Sequence, residues 1–367
     1  TGGDQLQLFN LPAGFEAAHL AAVSSAGQDF VLVADAVTGD ILSLSANGIG
    51  LLSETTAAGI DGTAHGGPLR GLVSLGDSVL ALGQDRIVEY GVVFSGTVVE
   101  TNSRDASADA MAVSGDTLFG IDTAAGTLTA YDTSASDPAL WAEPLAEIGA
   151  DSVPGLAGAS HVAADGDGFV YVASATEGTL SVFEYAGSTG FTHVQTLMNG
   201  QDGVRGMGTP SGLVVSDDGH VIVASRGDNA LAVFQRKIVE GAATGELVFV
   251  QVVRNDTGGA SGLVRPSALA GATVGGAPVL FVGSAGDGTR DGGLARFSIA
   301  TDLPPPVQFV TDFTGIADVT LATDGGNDTV ALLSAPSPDV TPSSAPSAVT
   351  TAVRSSGALS GIAGILL

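Results

Sequence analysis

Apolar runs of five residues recur along this chain about every fifty positions, each ending in a small or acidic residue. They are VLVAD (31–35), VLALG (79–83), LFGID (118–122), VYVAS (170–174), VIVAS (221–225), LFVGS (280–284) and VALLS (330–334). The runs are too short for helices and rich in β-branched residues, so they predict strands apolar on both faces. A strand repeat at this period predicts a stacked or radial architecture in which no unit folds alone.

The unit at about 153–203 is the clearest. It contains SHVAA, FVYVAS, TLSVFEY and THVQTLM in order, with Asp-Gly and Glu-Gly between the first three. Asp-Gly between apolar runs signals an antiparallel hairpin, because glycine accepts positive φ without a steric cost. The second run has the continuous apolarity of a strand covered on both faces, and the third and fourth alternate more. The next units repeat the order, from TPSGLVVSDDGHVIVAS through NALAVFQR to GELVFVQVV, and then from RPSALAG to VQFVTDFTG. Four antiparallel strands per unit, repeated radially, predict an all-β fold, a β-propeller of about seven four-stranded blades. Six blades result if the first two units are read differently. A β-helix is the rival, but its coils are about half this period and need no hairpins.

Residues 1–334 are read as one propeller. Its N-terminal strand 4–10 (DQLQLFN) is expected to complete the last blade, so that pairing of the terminal strands removes an exposed edge. Residues 335–367 follow as a Pro/Ser-rich segment, with a C-terminal strand or tail packing on the propeller.

Composition narrows the chemistry. Gly supplies 53 of 367 residues and aromatics only 5%, which fits many tight turns around an aliphatic core. Twelve basic residues against 39 acidic ones give a net charge of −27, and Lys237 is the only lysine. A surface so acidic repels nucleic acid and anionic membranes, and suits solubility in salt and divalent cations. There is no cysteine, which excludes disulfides, thiol nucleophiles and thiolate metal sites. No apolar run is long enough to span a membrane as a helix. The chain starts with Thr1 and shows no signal-peptide pattern, so it is expected to be a mature or excised piece.

GTPSGLVVSDDGHVIVASRGDNALAVFQR and GASHVAADGDGFVYVASATEGTLSVFEY resemble blades of the bacterial lactonase-like seven-bladed propellers, which are related to YVTN-repeat surface proteins. The resemblance is strongest over residues 153–256, weaker over 259–334, and only rhythmic over 14–150. Some members of that family hydrolyse sugar lactones, and others are binding modules of large extracellular proteins. DGGNDTVALLS (324–334) also resembles one calcium-binding nonapeptide, although a single copy fits a hairpin turn better.

In a propeller, the start of each innermost strand faces the central channel. Those positions are His19, Arg70, Asp109, Ser160, His161, Ser211, Ser267 and Asp318. Two readings stay open for them. His19, His161, Asp109 and Asp318 have the chemistry to hold a divalent metal that activates water, as a lactonase or esterase needs. Alternatively they are polar channel residues bonded to neighbouring strands, with Arg70, Ser160, Ser211 and Ser267 available to a ligand.

Asp287 and Asp291, in a loop longer than a hairpin needs, are candidate calcium ligands. Asp165, Asp167, Asp217 and Asp218 sit where turn geometry alone favours aspartate. His65, His193 and His220 are expected to face solvent. No G-x-S-x-G elbow opens a helix, and no Gly-rich stretch carries the lysine of a phosphate loop. Trp141 stands alone, without the other aromatics of a glycan platform.

The expected function is an extracellular or cell-surface binding, interaction or adhesion module of a larger assembly, with a protein or surface glycan as partner. The alternative is the metal-assisted hydrolase at the channel.

Overall fold

The computed structural model describes residues 7–10, 16–25, 27–45, 66–92, 98–105, 108–134, 144–153, 155–216, 219–239, 242–255, 262–274, 277–287, 293–298, 316–324, 327–334 and 348–351. Two compact units divide the chain, residues 1–308 and 309–367.

The first unit is a β-propeller. Its described strands form six antiparallel sheets, each built outward from an inner strand: Ala17–Ser25, Gly71–Leu75, Ala110–Ser114, Ala159–Ala164, Pro210–Val215 and Pro266–Val274. We call these sheets one to six. The recurring apolar run is the second strand of each sheet. Phe169–Ser174 and His220–Ser225 are buried at every position, as strands flanked by sheets on both sides must be.

One apolar cluster fills each seam between neighbouring sheets. Phe30, Leu32 and Ile41 meet Leu72, Val79 and Tyr90 between sheets one and two. Leu80 and Leu82 meet Met111 and Leu118 between two and three. Phe119 and Ile121 meet Val170 and Phe183 between three and four. Tyr171 and Val182 meet Val223 and Phe234 between four and five. Ile222 and Val233 meet Leu280 and Phe297 between five and six. Leu20, Val31 and Val33 meet Ala268, Val279 and Phe281 between six and one. Burying one such side chain contributes about 1.5–3 kcal/mol, so every seam is a substantial part of the core.

The last cluster joins sheets six and one, so the six sheets described in this unit pack side by side all round. Gly283 marks how tightly. A Cβ there would lie 2.8 Å from the Cβ of Ala17, so only glycine lets the second strand of sheet six approach sheet one. The N-terminal strand Gln7–Asn10 pairs antiparallel with Gly293–Ser298 and forms the outer edge of sheet six. The sequence reading set that strand on the last repeat instead. Residues 4–6 lie outside the described residues.

The second unit holds a three-stranded antiparallel sheet of Ile316–Asp324, Asn327–Ser334 and Ala348–Thr351. Its first two strands are joined across Asp324↔Asn327, the hairpin expected for DGGN. Residues 335–347 and 352–367 lie outside the described residues.

Candidate functional site at the channel mouth

All six inner strands line a central cavity of about 250 Å³. Its walls are mostly Ala, Val, Leu and Gly. Its polar side chains include His19, Arg70, Ser160, His161 and Ser267, which sit where inner strands begin.

A bulge recurs at that level. Pairing with the second strand shifts by one residue between Ala17 and His19, Ala159 and His161, Pro210 and Gly212, and Pro266 and Ala268. The extra residue at each is Ala18, Ser160, Ser211 or Ser267. A bulge re-aims the side chains beside it, here across the seam to the next sheet.

Side chains at this end bridge every seam of the ring. His19 Nε2 donates to the carbonyl of Leu69 at 3.0 Å, joining sheet one to sheet two. Arg70 Nη1 donates to Asp109 Oδ1 at 2.7 Å, joining two to three, and Arg70 Nη2 donates to Gln84 Oε1. Asp109 Oδ2 accepts the amide of Thr123, whose hydroxyl donates to the carbonyl of Ala159 at 2.8 Å and joins three to four. His161 bonds the backbone of Ser211, joining four to five. Ser211 Oγ donates to the carbonyl of Pro266 at 2.6 Å, joining five to six. Ser267 Oγ donates to the carbonyl of Ala17 and closes the circle.

Both channel histidines are held neutral. Burial drives the pKa of His19 from 6.5 down to about 4, opposed by its bond to Leu69. Burial, then repulsion from the His19 ring once that ring is protonated, does the same to His161, opposed by its bond to Ser211. The carbonyl partners fix the tautomers. His161 Nδ1 lies 2.8 Å from the Ser160 hydroxyl, which also donates to the carbonyl of Ala173 at 3.3 Å. Ser160 Oγ also takes the amide of Ala175 at 3.2 Å.

Of the eight mouth residues expected from sequence, seven meet at one end of the first unit. Asp318 lies on the first strand of the second unit, opposite Leu333. Asp287 is exposed just beyond the second strand of sheet six, and Asp291 lies outside the described residues, as do His65, Trp141, Asp217 and Asp218. Among the described residues no group of three or more His, Asp or Glu side chains is placed to hold a metal ion.

His193 is exposed, as expected, and its Nε2 lies 2.9 Å from Thr196 Oγ1. His220, expected to face solvent, is instead buried at 1% exposure. It opens the covered second strand of sheet five.

A second polar centre was not foreseen. Asp165, in the hairpin of sheet four, accepts the amides of Asp167 and Phe169 on Oδ1, both at 2.9 Å. Its Oδ2 accepts the Tyr171 hydroxyl at 2.7 Å and Arg236 Nη1 at 3.0 Å. Arg236 belongs to sheet five and also reaches Asp167 Oδ2 at 2.5 Å. Ser114 Oγ of sheet three donates to the carbonyl of Asp165. The aspartates read as turn formers thus also clamp three sheets together. The signal was a hairpin acid and an arginine 71 residues apart, which no local pattern reveals.

Comparison with curated proteins found no match. Among solved structures, a virginiamycin B lyase from Staphylococcus aureus aligns at 13% identity and TM-score 0.44, covering 89% of this chain and 95% of that one. A 6-phosphogluconolactonase-like protein from Bacteroides uniformis aligns at 16% identity and TM-score 0.47, covering 72% and 77%. Another from Bacteroides fragilis aligns at 13% identity and TM-score 0.49, covering 82% and 95%. Residues 110–258 match the family model described as lactonase, 7-bladed β-propeller, and the stretch 153–256 singled out from the sequence lies within that match.

Proposed function

We propose that this propeller is a binding module that takes a small organic molecule with an apolar body and a polar end into its channel mouth. One observation carries the reading. Apart from Ser160, which bonds within its own sheet, each side chain with the chemistry of a nucleophile, base or electrophile at the mouth already bonds the backbone or a charged group of the neighbouring sheet. Such groups are rigid and preorganised for recognition, but they are not free to exchange protons with a substrate. The cavity has the composition of a ligand site, mostly apolar walls with a few convergent polar groups.

A second reading, hydrolysis of a lactone or ester, is favoured by the family match over residues 110–258 and by the Ser160–His161 contact. A serine donating to a neutral imidazole is the first element of an activated nucleophile. Its weakness is the base: an imidazole with a pKa near 4 has little drive to take the serine proton at neutral pH.

The two readings separate in one experiment. A panel of short-chain lactones, esters and the hydroxy acids they open to is screened for thermal stabilisation of the protein and, in parallel, for acid release. Saturable stabilisation without acid release is the expected result. Acid release that disappears in Ser160→Ala overturns the binding reading in favour of hydrolysis.

A further inference from the structure

Protons and lone pairs are unevenly spent at the channel mouth. His19 lines the cavity, and its Nε2 lies 3.0 Å from the carbonyl of Leu69. A carbonyl only accepts, so Nε2 carries the proton of the neutral ring and Nδ1 keeps a lone pair. The Leu69 contact is the one hydrogen bond that His19 makes among the described residues. Nδ1 is therefore an acceptor without a donor, on a ring anchored through its other nitrogen.

The other polar side chains of the cavity wall are engaged differently. His161 uses both edges of its ring, with Nδ1 2.8 Å from the Ser160 hydroxyl and a further bond to the backbone of Ser211. Ser160 Oγ already accepts the amide of Ala175. Ser267 gives its single proton to the carbonyl of Ala17, and Arg70 bonds Asp109 and Gln84. Around these groups the walls are mostly Ala, Val, Leu and Gly. A ligand seated among them gains most from a polar end that donates to His19.

Two kinds of small molecule donate from an apolar body, an alcohol and an alkylammonium. The net charge of −27 draws cations toward the protein. The mouth itself does not favour them. Its surroundings keep the His19 and His161 rings neutral, a charge on His19 opposes one on His161, and Arg70 is already a cation there. Whatever disfavours an imidazolium at this place disfavours an ammonium for the same reason. A hydroxyl donates without a charge. The cavity of about 250 Å³ also holds its body, since an apolar cavity of about 150 Å³ takes benzene.

We propose that His19 Nδ1 accepts a hydrogen bond from the hydroxyl of a small aliphatic alcohol bound in the channel. The imidazole recognises the hydroxyl and does not take its proton. The inference rests on the reading of the mouth as a ligand site and names the donor at the polar end of its ligand.

Nitrogen NMR of the whole chain, labelled in its histidine rings, tests this at neutral pH without any need for turnover. Three probes of one shape are titrated: cyclohexanol, cyclohexanone, which only accepts, and cyclohexylammonium. The His19 Nδ1 resonance is identified by its loss in His19→Gln. Cyclohexanol is expected to bind saturably, about tenfold tighter than cyclohexanone, the worth of one hydrogen bond. It should move the Nδ1 resonance toward the hydrogen-bonded position, and cyclohexanone should not. His19→Leu should bind alcohol and ketone alike, whereas a purely structural role for His19 would weaken both equally and keep the preference. Equal affinity of the wild type for alcohol and ketone, or alcohol binding that leaves Nδ1 unmoved, overturns the proposal and leaves the mouth a ligand site. Tighter binding of the ammonium overturns the choice of an alcohol. Binding of none of the three counts against the ligand site itself as well.

Discussion

The imidazole of His19, on the first sheet, donates its Nε2 proton to the carbonyl of Leu69, where the chain enters the second sheet, at 3.0 Å. That contact is one of six side-chain bridges around the channel mouth. It shows why polar residues at the start of inner strands need no catalytic role to be required. Leu69 is buried at 7% exposure, and the imidazole is the side-chain partner of its carbonyl. His19→Ala should therefore cost about 1–3 kcal/mol, the usual penalty for an orphaned buried acceptor. His19→Gln keeps a donor at similar reach and should recover part of that loss. Urea unfolding of the three proteins checks the order.

The two channel histidines also predict a pH dependence. In the folded protein their pKa values are near 4, against 6.5 for an unperturbed imidazole. Between those values the unfolded chain binds more protons, so stability falls as pH falls. The contribution is fully present above about pH 7, is lost between pH 6.5 and 4, and changes no further below that. About 3 kcal/mol per histidine is at stake over the window. Melting temperature measured from pH 7.5 to 4.5 should decline, and His161→Gln should flatten the decline. A wild-type curve as flat as the variant's contradicts the assignment of neutral rings.

At the Asp165 centre, the two partners should not be equivalent. Arg236→Ala removes the cation but leaves Asp165 three other donors, the amides of Asp167 and Phe169 and the Tyr171 hydroxyl. Asp165→Ala orphans all three donors and leaves the guanidinium only the more exposed Asp167 carboxylate. Both side chains are largely buried, at 12% and 7% exposure, so solvent screens the pair weakly. Asp165→Ala is expected to cost about 3–5 kcal/mol and Arg236→Ala about 1–2 kcal/mol less than that. Denaturant titration of the single and double variants measures the difference as a coupling energy.

Much of this fold was legible because a propeller repeats one local rule. The apolar run marks the covered second strand, and Asp-Gly marks the hairpin before it, as at Asp167-Gly168 before Phe169–Ser174. Counting back from that strand finds the channel, which is why His19, Arg70, Ser160, His161 and Ser267 were located without knowing their partners. Closure was not legible. Sheet six packs on sheet one where Gly283 admits Ala17, a contact between residues 266 positions apart that leaves no periodic trace. Partnerships were equally hidden. The sequence shows an arginine at 236, but only the fold shows that Asp165 and Asp167, some seventy residues earlier, neutralise it.

Gly245 offers a steric test of the seam between sheets four and five. It has φ 74°, and a Cβ there would collide with the ring of Phe169. Gly245→Ala combines left-handed strain with a clash against a core aromatic, which should cost at least about 2 kcal/mol. Phe169→Leu, by vacating the clash, should restore part of it in the double variant. Thermal denaturation of the single and double variants provides the check.

The claim that the mouth is a rigid binding site and no hydrolytic centre meets its most direct test in a pH-stat assay of the wild-type chain with short-chain lactones, beside Ser160→Ala and His161→Gln. Acid release at the buffer rate for all three proteins is the predicted result. Release by the wild type that is abolished in both folded variants would contradict it.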